Sequence, residues 1–135
     1  MSNQKDFQKE NWLIHIENYD KNKPFPKMAT IRFFETEILS NLESAKSIFE
    51  EQGYECQIES DVKETEGAVA QLAVKKRNGT DYIKFETSDY VEIHIDYSDK
   101  GMRQNHGVFS MKKFVEDSEY SFAKDYVSRF LEVLK

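Results

Sequence analysis

Between Gln71 and Glu86 apolar and polar residues alternate with a period of two, and the alternation is interrupted once, at Asn78-Gly79. A period of two is the signature of a strand with one buried face. Asn-Gly is the pair a type I′ turn favours, because both of its central residues need positive φ. The stretch predicts a β-hairpin. A two-residue loop at Asn78-Gly79 pairs Arg77 with Thr80, Val74 with Ile83 and Leu72 with Phe85. A second turn, Thr87-Ser88-Asp89, read as a three-residue loop, pairs Glu86 with Tyr90, Phe85 with Val91 and Ile83 with Ile93. Each turn independently puts Leu72, Val74, Ile83, Phe85, Val91, Ile93 and Ile95 on one face. A slip of one residue would invert that assignment, so the agreement carries weight. The opposite face sets Lys75 against Tyr82 and Lys84 against Glu92.

Upstream, from about Met28 to Gln52, the period changes. Ile31, Phe34, Ile38, Leu42, Ala45 and Phe49 recur at steps of three and four, which aligns them as one stripe of a helix. Pro26 suits its entrance and Gly53 its exit. Tyr54, Cys56 and Ile58 then alternate with Glu55, Gln57 and Glu59, predicting a strand over Tyr54–Ser60, followed by an acidic loop over Asp61–Gly67. A fourth strand is expected over Tyr90–Tyr97, a turn at Ser98–Gly101 and a short fifth strand at Gly107–Met111. A last helix is expected over about Glu119–Leu134 with Ser118 as its N-cap, or alternatively a helix that begins at Ser110 and breaks near Asp117.

These elements specify an α+β two-layer sandwich. A four- to five-stranded antiparallel meander is covered on one face by a helix from the N-terminal half and by a C-terminal helix. Residues 1–27 read as an N-terminal arm or short element ending in a Pro-containing connector, and residues 28–135 as a single domain. The chain has 135 residues and is 39% hydrophobic, enough to pack one core. No apolar run is long enough for a membrane span, and Met1–Asp6 is polar with no signal-type core behind it. A single cysteine, Cys56, excludes an internal disulfide and fits a reducing compartment, so cytoplasm is the expected location.

Charge changes the picture more than composition does. The net charge is −6, and residues 35–66 hold ten acids against two lysines, so the acidic excess lies in that one segment. Nucleic acid, which needs clustered Lys and Arg, is a disfavoured partner. Lys75-Lys76-Arg77 with Tyr82 and Lys84 is the one basic and aromatic strand face, but Glu86, Glu92 and Asp96 share it and oppose phosphate. Those lysines read as guards against edge pairing.

Catalytic chemistry finds little support. His15, His94 and His106 show no ligand spacing, and although Glu92, His94 and Asp96 share one strand face, such a row reads as solvated surface. No metal or cofactor is expected. Cys56 points inward with carboxylates around it, which blunts a thiol. The five glycines punctuate turns and form no phosphate-binding loop.

Three classes stay open. The first is a small protein-interaction domain that docks a basic partner through an acidic helix–loop band of Glu43, Glu50, Glu51, Glu55, Glu59, Asp61, Glu64 and Glu66. Inhibitors and immunity or anti-defence proteins take that physical form. The second is a ligand-binding domain or enzyme with a pocket between sheet and helices, lined by Tyr54, Tyr97, Tyr126 and His106. The third is a homodimer that pairs through a sheet edge or through exposed aromatics such as Tyr82 and Tyr90.

Overall fold

The computed structural model describes residues 19–20, 22–63, 66–77, 79–99, 103–116 and 130. Helix α1, Lys27–Phe33, runs through one π-helical turn, Phe34–Ile38, into helix α2, Leu39–Glu51. The wider turn takes up an extra residue, so the neighbours Phe33 and Phe34 are both buried along with Ile38, Leu42, Ala45 and Phe49. Every position of the predicted stripe faces the core. The helix closes in a Schellman arrangement: Gly53, at φ 93°, donates to the Glu50 carbonyl and Tyr54 donates to that of Phe49. The Tyr54 ring then packs edge-on to Phe49 at 6.1 Å, the apolar contact that accompanies this cap.

Five antiparallel strands follow in simple order: β1 Glu55–Val62, β2 Ala68–Lys76, β3 Gly79–Thr87, β4 Glu92–Asp99 and β5 Arg103–Ser110. The architecture is the α+β meander with helices on one sheet face. A short helix α3, Met111–Glu116, starts directly after β5, with Ser110 Oγ accepting the Lys113 N–H at its N-terminus. This agrees with the alternative helix start at Ser110. The helix expected over Glu119–Leu134 lies outside the described residues except for Phe130, which is helical, buried and edge-on to Phe49 at 5.9 Å. The element around Trp12–Tyr19 also lies outside them except for Tyr19.

Both predicted registers differ from the observed ones, each by an even number of residues. Lys76, not Arg77, stands opposite its hairpin partner, Gly79, and Leu72 stands opposite Ile83. Across the next turn Phe85 pairs with Ile95 and Lys84 with Asp96, where Val91 and Glu92 were expected. Lys75 faces Thr80 rather than Tyr82. Even shifts leave every side chain on its predicted face. Leu72, Val74, Ile83, Phe85, Ile93 and Ile95 are fully buried, and Val91 is half-buried against them.

Tertiary contacts set the registers where turn chemistry alone did not. A Cβ at Gly67 would lie 2.6 Å from the Thr87 carbonyl oxygen, so only glycine lets the β1–β2 connection sit this close to the end of β3. The β3–β4 connection is longer than a three-residue loop. Asp89 accepts the N–H groups of Val91 and Glu92, both at 2.9 Å, and Tyr90 takes a left-handed φ of 62°. Tyr90 is thereby turned into the protein, where its carbonyl accepts the buried Thr30 hydroxyl of α1. Its ring lies under Lys27 Nζ, 5.0 Å from the centroid.

Candidate functional site

The helices cover one side of the sheet and leave the other side open among the described residues. On β1, Cys56, Ile58 and Val62 turn toward the helices, so Glu55, Gln57, Glu59 and Asp61 point the other way, into solvent. The same alternation carries Lys75 on β2, Lys84 and Glu86 on β3, and Glu92, His94 and Asp96 on β4 to the open face. Among the described residues six strand carboxylates and two strand lysines therefore share it, with Lys63 and Glu66 at its margin.

The candidate acids are thus divided between two layers. Glu55, Glu59 and Asp61 belong to the open sheet face, and Glu66 is exposed at the loop beside them. Glu43, Glu50 and Glu51 are exposed on α2, which packs against the opposite face of β1 and β2. Glu64 lies outside the described residues. The structure joins to the sheet group three acids that linear counting separated from it: Glu86, Glu92 and Asp96. The signal for them was parity within the strands, not the local density of charge.

Ion pairing leaves most of this field intact. Glu55 reaches Lys75 at 3.8 Å and Glu86 reaches Lys84 at 3.8 Å, all on accessible side chains, where such pairs contribute little. Lys63 bridges Glu66 at 2.9 Å and Asp61 at 3.5 Å. The hydrogen bond to Glu66 and the charge of Asp61 hold its ammonium above the ordinary lysine range. Asp61, Lys63, Glu66, Val69, Glu86 and His94 border an open depression of about 220 Å³ at this end of the face.

Toward the β5 edge the face carries imidazoles. His106 Nδ1 lies 2.6 Å from Asp96 Oδ1, its cross-strand neighbour, and the His94 ring centroid lies 5.5 Å from that of His106. The expected fifth strand, Gly107–Met111, stops one residue short of His106, which the sequence offers only as a pocket-lining side chain. In the structure β5 begins at Arg103, and His106 belongs to the outer row. Among the described residues no group of three or more His, Cys, Asp or Glu side chains converges as a metal cluster.

Between sheet and helices the described side chains pack closely. Phe33 stacks on Phe109 at 6.1 Å, Phe114 leans on both, and Phe34, Phe49, Phe85 and Leu42 are fully buried around them. Of the side chains expected to line a pocket there, His106 is on the far face, Tyr54 and Tyr97 are half-buried against the core, and Tyr126 lies outside the described residues.

Two reactive-looking groups have structural explanations. Burial, reinforced by Glu50, pushes the Cys56 thiol up, so little of it is thiolate at neutral pH. Asp81 is 2% exposed, yet it accepts from Ser98 Oγ at 2.9 Å and lies 3.5 Å from Lys76 Nζ. Ser98 Oγ in turn accepts the Tyr82 N–H, taking over where the β3–β4 ladder ends at Ile83–Tyr97.

No helix of the described residues is long and apolar enough to cross a membrane. Comparison of the chain with known proteins finds no matching family model, no matching curated protein and no matching solved structure.

Proposed function

We propose that this chain is a protein-interaction domain whose open sheet face docks a basic protein surface. One observation carries the reading: six outward carboxylates, Glu55, Glu59, Asp61, Glu86, Glu92 and Asp96, share that face with Lys75 and Lys84, and Lys63 stands at its margin. A predominantly negative field on a sheet face left open among the described residues concentrates an oppositely charged partner and speeds encounter. Tyr82, Ala73 and Val69, half-buried between the charges, supply apolar area that a partner would cover. The partner is a protein surface rich in Lys and Arg, and nucleic acid is repelled by the same field. Inhibition of an enzyme that handles nucleic acid fits this chemistry, because such an enzyme presents a basic surface for an acidic inhibitor to occupy. Close aromatic packing among the described core residues favours surface recognition over an internal ligand.

The helix acids Glu43, Glu50 and Glu51 serve as the internal comparison, since they point from the other layer. The test is affinity capture from native lysate at low and at high ionic strength, using wild-type chain and two charge-reversed variants. Glu55→Lys with Glu59→Lys and Asp61→Lys should abolish capture of a basic protein without unfolding the domain. Glu43→Lys with Glu50→Lys and Glu51→Lys should retain it. Capture that survives the sheet reversal, or that is indifferent to salt, would sink the reading.

A further inference from the structure

We propose that His94 and His106 form a two-imidazole site for a divalent transition-metal ion on the open sheet face, independent of any protein partner. Neighbouring antiparallel strands bring them together: Asp96 stands opposite His106, and His94 precedes Asp96 by two residues on the same side of β4. The spacing suits a shared ion. A ring nitrogen lies about 1.2 Å from its centroid and about 2.05 Å from a bound zinc ion, so two imidazoles on one tetrahedral ion have centroids about 5.2 Å apart. The observed separation is 5.5 Å with the rings inclined by 33°.

The second shell is already built. Asp96 Oδ1 lies 2.6 Å from His106 Nδ1, which places the proton of the neutral ring on Nδ1 and leaves the Nε2 lone pair free to bind. A carboxylate on the non-ligating nitrogen is the usual orienting partner of a metal-bound histidine. Both rings are exposed, so water can fill the remaining positions. The surrounding charges are Glu86, opposite His94 on β3, Glu92 and Asp96 on β4, and Lys84, opposite Asp96. Three carboxylates outnumber one ammonium, so the local field favours a cation. Nitrogen donors select zinc, nickel or copper over magnesium or calcium, which take oxygen ligands.

Zinc chloride titrated into the full chain at pH 7.5, followed by calorimetry and by the imidazole ring signals in NMR, tests the site. One ion per chain is expected, with the ring signals of His94 and His106 shifting and those of His15 unmoved. His94→Gln and His106→Gln should each weaken binding at least 10-fold. Asp96→Asn, which keeps both ligands, should weaken it by about 10-fold through loss of orientation alone. Magnesium at the same concentration should leave both rings unchanged. Absence of zinc binding, binding undiminished in either histidine variant, or ring shifts confined to His15 would each overturn the proposal.

Discussion

The phenol of Tyr90 donates to the main-chain carbonyl of Lys63 at 2.9 Å and accepts the N–H of Gly67, so one side chain from the β3–β4 turn closes the β1–β2 loop. That loop borders the acidic face and carries Glu66. Removing the hydroxyl in Tyr90→Phe strands two backbone groups at a buried position. A loss of about 1–3 kcal/mol is expected in denaturant unfolding. Amide exchange should rise first at Lys63 and Gly67, ahead of the core strands.

Gly67 and Gly53 both have positive φ, at 96° and 93°, but only Gly67 meets an obstacle. Gly53→Ala pays conformational strain alone, about 1–2 kcal/mol. Gly67→Ala adds a contact 2.6 Å from the Thr87 oxygen, so the expected loss is about 2–4 kcal/mol. Urea midpoints for the two variants, measured side by side, check the difference.

Parity was legible in the sequence and register was not. Alternation through Leu72, Val74, Ile83 and Phe85 declares which side of each strand is oily, and a shift of two or four residues leaves that declaration true. What sets the register lies elsewhere in the chain: Gly67 under Thr87, Tyr90 reaching Lys63, and Asp81 reaching Lys76 and Ser98. The length of β5 was hidden for a related reason. Gln104, Asn105, His106 and Gly107 show no apolar alternation, since this edge strand buries little before Phe109. The division of the acids followed from the same blindness, because a run of charge along the chain does not reveal that a strand and a helix place it on opposite layers.

Asp81 is a buried carboxylate held by Lys76 and Ser98, and its loss removes the negative charge beside Lys76 and the acceptor of the Ser98 hydroxyl near the end of the hairpin. Asp81→Ala should cost about 3 kcal/mol in chemical denaturation. Ser98→Ala removes one neutral hydrogen-bonding group and should cost about 1–2 kcal/mol. The double variant should fall short of their sum, because the two side chains touch.

Acid should weaken the fold through Asp89. Burial by itself would push this carboxyl up, but hydrogen bonds from the Glu92 and Val91 N–H groups and from the Thr87 hydroxyl outweigh it and hold the group below its ordinary value of 3.8. A depressed carboxyl stabilises the fold above its unfolded value and loses that contribution as pH falls through the folded one. Thermal melts of wild-type chain should therefore decline as pH drops below about 4. In Asp89→Asn that part of the decline should be missing, and the variant should already be less stable at pH 7.

Docking through the open sheet face is tested most directly by amide NMR of labelled chain titrated with the basic protein captured at low salt. The shifts should concentrate in Glu55–Asp61, Tyr82–Glu86 and Glu92–Asp96, and should fade as salt is raised. Shifts centred on Glu43–Glu51, or perturbations of the same size at high salt, would contradict it.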